Sequence, residues 1–243
     1  MIERRDATAG YSLRARLRAG EGPFWGGLKR AAKATLTFHV PVVGPLRAFF
    51  KVLYSLHVAL REGLAWALRF FWYEPLFRSQ CESVGANLWM ERLPYLEGVG
   101  RIVVGDGVRL SGKQTIGFAG STSAMPELVI GDGTFIGHGC AFYVGKSFRI
   151  GRNCLIAGDV TVYDLDGHPL DAAERRGGKP TPASGIKPVV LGDDVWIGRG
   201  AMILKGVSIG DRSIVGARSL VTRHVPPDSI VAGNPARIVR KLV

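Results

Sequence analysis

The sequence predicts a parallel β-helix of triangular section, preceded by an α-helical N-terminal extension and followed by a short C-terminal segment. Three observations carry this expectation. Apolar residues recur at steps of six: Val104, Leu110, Ile116; Ile130, Ile136, Phe142; Ile150, Ile156, Val162; then, unbroken, Leu191, Ile197, Ile203, Ile209, Val215 and Val221. A helix repeats every 3.6 residues and a strand every two, so a beat of six belongs to neither alone. The residue after each marked one is small at two steps of three, as in Gly210, Gly216 and then Thr222. The full repeat is therefore 18, three short strands with a tight bend after each. Finally, 33 glycines in 243 residues is about twice ordinary usage, without the G-X-Y period of collagen, so glycine serves bends.

The N-terminal region reads differently. Residues 1–35 are basic, with RARLR at 14–18 and GLKRAAK at 27–33, and suggest a helical or partly disordered arm. They lack the continuous apolar core and small-residue cleavage site of a signal peptide. Residues 45–73 predict a helix, because Leu46, Phe49, Phe50, Leu53, Leu56, Leu60, Leu64, Leu68 and Phe71 recur at three and four spacings. Arg47, Lys51, Arg61 and Arg69 interrupt them, and the longest uncharged run is nine residues (52–60), too short to span a bilayer. Two readings stay open. The helix packs on its own protein or a sister subunit, or it lies in a membrane interface with arginines at the headgroups. The expected domains are a basic, amphipathic helical region over 1–100 and a β-helix over 101–243 with an inserted loop at about 164–188.

Charge and cysteine usage narrow the classes. The net charge is +12, with 13 Lys/Arg against 5 Asp/Glu in residues 1–80 and 19 against 15 in the remainder. The surplus belongs to the N-terminal third, and by charge alone an anionic membrane is one candidate partner and nucleic acid another. Peripheral contact with an anionic membrane is the candidate carried forward, and no nucleic-acid partner is expected. Cys81, Cys140 and Cys154 form no even set and no C-x-x-C pair, which disfavours a disulfide framework or zinc ribbon and suits a reducing, cytoplasmic compartment. His138, His168 and His224 are far apart, so no metal is expected. GDD at 192–194 reads as turn carboxylates at a coil corner.

The beat stops once. After Val162 the next inward residue is Leu191, and YDLDGHPLDAAERRGGKPTPAS fills residues 163–184. An excursion of this length from a regular wall supplies a pocket that a flat wall lacks. His168 stands near its start, and imidazole is the side chain suited to moving a proton near neutral pH.

NCLIAGDVTVYDLDGHPLD (153–171) and the long run PVVLGDDVWIGRGAMILKGVSIGDRSIVGARSLVTRHVPPDSIVAGNPARIVRKL (188–242) resemble the hexapeptide-repeat acyltransferases, closest to the galactoside and maltose O-acetyltransferase branch. The resemblance covers roughly residues 128–243. It implies an all-β, left-handed parallel β-helix and acetyl-CoA as acyl donor. It further implies a carbohydrate acceptor and a homotrimer with sites between subunits. His168 matches the histidine of the family's GHP, its general base. The residue that orients it is open among Asp164, Asp166, Asp171 and a backbone carbonyl, with Asp166 taken as catalytic support. Trp196 matches the tryptophan of WIG beside the active site. His138 stands near the family's acceptor-binding asparagine, which this chain lacks. For coenzyme A, the likeness implies Gly198 and Ala217 along the pantetheine arm, Thr222 and Arg223 at the family's TK, and Arg237 and Arg240 at the nucleotide phosphates. Arg199 departs from the small polar residue usual after WIG. The basic, aromatic N-terminal region extends the expectation to a cell-surface polysaccharide or lipid-linked saccharide acceptor at the inner face of the membrane. A catalytically inactive binding scaffold, and a transferase of longer acyl chains or onto amines, remain as alternatives.

Overall fold

The computed structural model describes residues 15–119 and 125–242. The chain divides into two compact units between Leu60 and Arg61. The N-terminal unit holds the helix Pro23–Thr37, which opens on a proline whose missing N–H costs nothing there, and most of the helix Pro45–Leu68. Neither helix has a buried residue. No helix among the described residues is long and apolar enough to cross a membrane.

In the second unit the helix widens into a π-turn at Arg69–Tyr73 and continues as Glu74–Gln80, where Phe77 enters the core. The chain then winds through three walls. The first wall stacks Ser83–Val84, Arg101–Val104, Glu127–Ile130, Ser147–Ile150, Val189–Leu191 and Ser208–Ile209. The second runs from Trp89–Met90 through Arg109–Leu110, Phe135–Ile136, Leu155–Ile156 and Trp196–Ile197 to Ile214–Val215 and Ser229–Gly233. The third stacks Tyr95–Glu97, Thr115–Phe118, Ala141–Val144, Thr161–Tyr163, Met202–Ile203 and Leu220–Val221. Every pairing between wall strands is parallel except the last, where Ala236–Lys241 folds back antiparallel on Ser229–Gly233 as the C-terminal segment.

All fifteen marked apolar residues are buried in one core. A second inward row lies two residues before them. On the first wall it carries Ile102, Leu128, Phe148, Val189 and Val207. On the other two walls it is mostly smaller, with Val108, Thr134, Cys140, Cys154, Val160, Val195, Ala201, Ser213 and Ser219, and Gln114 the exception. On the second and third walls a smaller residue thus mostly precedes each large one, whereas the first wall buries two bulky residues per strand, as in Leu128 with Ile130 and Phe148 with Ile150.

Two expectations are corrected. Coiling begins before residue 101, with a complete coil at Ser83–Glu97 whose Val84, Met90 and Leu96 already keep the beat of six. Acidic residues after the second and third of these, Glu91 and Glu97, hid it. The spacing of 18 holds from Leu191 onward, but twenty residues separate Ile130 from Ile150, because the third-wall strand Ala141–Val144 runs longer.

The corner after the first wall explains the aspartates. Asp106, Asp132, Asp193 and Asp211 each accept the backbone N–H of the coil before: Ala86 at 2.6 Å, Asp106 at 2.8 Å, Arg152 at 2.7 Å and Asp193 at 2.9 Å. The GDD aspartate is thus one rung of a turn ladder. Arg152 also pairs with Asp193 at 2.7 Å, and this hydrogen bond holds the Asp193 carboxyl below its ordinary range.

Candidate active site

The inserted loop leaves the corner between the third and first walls, after Tyr163 and before Val189. Its root is a short antiparallel bridge, Leu165 to Ile186, closed by Asp166 N–H to Gly185 O (3.0 Å) and Lys187 N–H to Asp164 O (2.7 Å). Asp164 is fully buried beneath it. Its carboxylate accepts from the backbone amides of Gly145 (2.5 Å), Lys146 (2.8 Å) and Ser147 (2.7 Å), which tie the loop to the preceding coil. Burial pushes this carboxyl up against the opposing pull of the three amides. Tyr163 stacks on Tyr143 at the foot, ring centroids 4.8 Å apart.

From this root the chain carries His168 into solvent, followed by the buried Pro169. Asp171 then caps the helix Ala172–Arg176 by accepting from Glu174 N–H at 2.9 Å. Each carboxylate considered as an orienter of His168 is engaged elsewhere: Asp164 with amides, Asp171 with a helix end, and Asp166 in an ion pair with Lys205. The His168 ring has no hydrogen bond or ion pair within the chain among the described residues. Lys205 was not foreseen, since in sequence it reads as an ordinary corner lysine.

The corner between the second and third walls forms a continuous edge. Arg218 N–H donates to Arg199 O (2.9 Å), Gly200 N–H to Gly158 O (3.0 Å), and Asp159 N–H to His138 O (2.7 Å). Ala217 is exposed on this edge. Gly198 is buried beneath it, its N–H given to Val215 O at 2.7 Å, and a Cβ there would lie 2.5 Å from the Ala217 nitrogen. Gly198 therefore serves by letting two coils approach, and its own amide is spent within the wall. Arg199 pairs with Asp159 at 2.8 Å.

At the head of the edge, His138 Nε2 lies 2.9 Å from Ser111 Oγ and 3.3 Å from Glu91 Oε2. Glu91 also accepts from Gly112 N–H. Trp196 is exposed on the second wall, in register between Leu155 and Ile214. Thr222 and Arg223 are exposed at the next corner of the last coil. Arg237 and Arg240 stand exposed on the final strand and have no ion-pair partner among the described residues. An exposed backbone edge with unpaired cations near its C-terminal end suits a long, flexible ligand with a phosphorylated tail. The edge and Trp196, however, do not lie at the corner that roots His168: Trp196 is on the second wall, and the edge is the corner between the second and third walls.

Comparison with known proteins agrees with this architecture. The bacterial transferase hexapeptide (six repeats) family matches residues 188–223, and the hexapeptide repeat of succinyl-transferase matches residues 127–164. The galactoside O-acetyltransferase of Escherichia coli is 34% identical over 122 residues, covering 44% of this chain and 58% of that protein. A serine acetyltransferase of Synechococcus elongatus is 28% identical over 198 residues, covering 80% of this chain and 67% of that protein. The chain spans about half, or a little more, of the length of several curated relatives it matches. Among solved structures, a hexapeptide-repeat-containing acetyltransferase of Vibrio cholerae superposes with a TM-score of 0.51 at 31% identity, covering 70% of this chain and 79% of that one. On the repeat, the walls and these matches, the chain belongs to the hexapeptide-repeat acyltransferases, with their left-handed parallel β-helix and here a helical N-terminal extension.

Proposed function

We propose that the protein is an acetyl-CoA-dependent O-acetyltransferase acting on a sugar hydroxyl, with His168 as general base. The observation that carries this reading is the loop root: a buried carboxylate and three amides hold a strut that presents an imidazole with no partner of its own. His168 takes the proton of the acceptor hydroxyl as its oxygen attacks the thioester carbonyl. The new C–O bond forms, the C–S bond breaks, and the departing thiolate recovers the proton from the imidazolium. The thioester is already activated, so no covalent enzyme intermediate is needed. Ala217, Thr222, Arg223, Arg237 and Arg240 line the donor. The sugar class rests on likeness to relatives such as the galactoside O-acetyltransferase.

The working unit is a homotrimer. The His168 loop leaves one corner, while Trp196 and the Ala217 edge belong to the opposite wall and another corner. A copy rotated about a threefold axis can bring one subunit's loop against its neighbour's edge, and a heterologous contact of that kind closes into a ring.

The acceptor is a lipid-linked or surface-polysaccharide saccharide reached at an anionic membrane. Support comes from the helical stretch 61–72, whose apolar stripe Leu64, Leu68, Phe71 and Trp72 is open to solvent while its arginine stripe faces the first coil. A helix that turns its apolar side away from its own core fits an interfacial location. The test is coenzyme A release from acetyl-CoA across a broad panel of sugars, with wild type and His168→Ala. Acceptor-dependent release that disappears in His168→Ala is expected. No release in wild type with any sugar would overturn the reading in favour of a binding scaffold.

A further inference from the structure

A cleft of about 580 Å³ opens between the helical stretch 61–69 and the first coil, a size suited to one small molecule. Arg61, Ala65 and Arg69 approach it at steps of four along the helix, with Trp66 beside them. The coil contributes Trp89, Glu91 and Arg92, and His138 joins them from two coils further on.

The charges around this cleft do not cancel. Arg61 is tied to Glu62 at 2.7 Å. Glu91 is held by Ser111, Gly112 and His138. Arg69 and Arg92 have no anionic partner among the described residues. The Nε of Arg69 is buried without an acceptor, a state that costs free energy until an anion or other acceptor fills it. Arg69 also opens the π-turn, a distortion that clusters at functional sites. A further cation, Arg109, lies 5.6 Å over the Trp89 ring and 5.7 Å over Phe135.

Guanidinium groups recognise phosphate oxygens through paired, directional hydrogen bonds. Indole faces supply a flat apolar surface against which a sugar ring can lie. Glu91 and His138 at the opposite side offer an acceptor and a ring nitrogen for hydroxyls. Position adds to chemistry: His138 heads the same edge that runs through Asp159 and Arg199 to Ala217.

We infer that this cleft binds a phosphorylated saccharide, with Arg69 and Arg92 on the phosphate and Trp66 and Trp89 against the ring. The bound saccharide is the acceptor only insofar as the acyl-transfer reading holds; the cleft's chemistry does not depend on it.

The test titrates the full chain with α-D-glucose 1-phosphate, inorganic phosphate and methyl α-D-glucopyranoside, following tryptophan fluorescence, with coenzyme A affinity measured in parallel. Saturable binding of glucose 1-phosphate is expected, at least tenfold tighter than inorganic phosphate, and no saturable binding of the neutral glucoside. Arg92→Gln, at an exposed position that leaves the core intact, and Arg69→Gln should each weaken glucose 1-phosphate about tenfold and leave coenzyme A affinity unchanged. Equal binding of the neutral glucoside, equal binding of inorganic phosphate, or unchanged affinity in both variants would overturn the inference. Coenzyme A binding without glucose 1-phosphate binding would remove the cleft and leave acyl transfer standing. The reverse pattern would keep the cleft and remove acyl transfer.

Discussion

The carboxylate of Asp164 accepts the backbone N–H of Ser147 at 2.7 Å from a fully buried position. With the neighbouring amides of Gly145 and Lys146, it makes the base of the inserted loop a continuation of the core. Asp164→Ala would strand three amides, each unmet group costing about 1–3 kcal/mol. Relaxation and water entry recover part of this. A loss of about 3 kcal/mol in denaturant unfolding is expected, with milder loss in Asp164→Asn, which keeps one acceptor. Equal stability of all three proteins would contradict the anchoring role.

His168 stands beyond that anchor, exposed and without an intramolecular partner. Its replacement by alanine should therefore leave the thermal midpoint within a degree or two of wild type, as surface substitutions usually do. Acetyl transfer should fall by about 10²–10⁴, the range for a positioned general base. Coenzyme A affinity, measured by calorimetry, should not change. A large drop in melting temperature would mean that the histidine is structural.

What the sequence revealed and what it hid follow from the physics of each part. The inward row of the β-helix was legible because each coil repeats one apolar demand, and all fifteen marked residues are buried. The inward position before it was not legible on the second and third walls, because serine, alanine and cysteine at Ser213, Ala201 and Cys154 carry no strong apolar signature. The inserted loop that carries His168 was legible through the break in the beat. The duties of Asp164, Asp166 and Asp171 were not, since three nearby carboxylates look alike until amides, a lysine and a helix end are brought to them. Arg69 looked like a headgroup cation because a helical wheel does not say which side meets the β-helix. The cleft beside it depends on a coil some twenty residues further along.

Phe71 and Trp72 are 69% and 59% exposed beside Leu64. Burying two such aromatics in a lipid interface contributes on the order of 3 kcal/mol, about a hundredfold in partitioning. Phe71→Ser with Trp72→Ser should lower sedimentation with phosphatidylglycerol-containing vesicles by that order without disturbing the fold. Raising salt should weaken binding of wild type as well, because attraction between the anionic surface and the cationic surplus of residues 1–60 is screened. Unchanged sedimentation of the double variant would point to a protein partner for this stripe.

Burial pushes the thiols of Cys140 and Cys154 up to about 11 and that of Cys81 up to about 12. The thiolate is the reactive form, so at pH 8 its fraction is about 10² to 10³ below that of an ordinary cysteine. The folded protein should resist iodoacetamide at pH 8, and all three thiols should react once guanidinium unfolds it. The sign of the pH dependence is fixed as well. These raised values favour the fold below the ordinary thiol pKa, and that contribution declines as pH rises through 11. A thiol that reacts at pH 8 at the rate of a free peptide would contradict its burial.

Glycines at two kinds of position should respond in opposite ways. Gly198 has no room: an added Cβ would sit 2.5 Å from the Ala217 nitrogen and 2.8 Å from the Val215 oxygen, both backbone atoms that move only if coils separate. Gly198→Ala should cost about 1–3 kcal/mol, the range for an overpacked core. Gly133 is there for its dihedral, φ 66°, and Asn153 occupies the matching corner of the next coil at φ 54°. Asparagine tolerates the left-handed region, and the atom nearest an added Cβ is a side-chain oxygen of Asn153, which can swing away. Gly133→Asn is therefore expected to change the unfolding midpoint by less than half as much as Gly198→Ala. Comparable losses would mean that close approach, rather than backbone handedness, governs both corners.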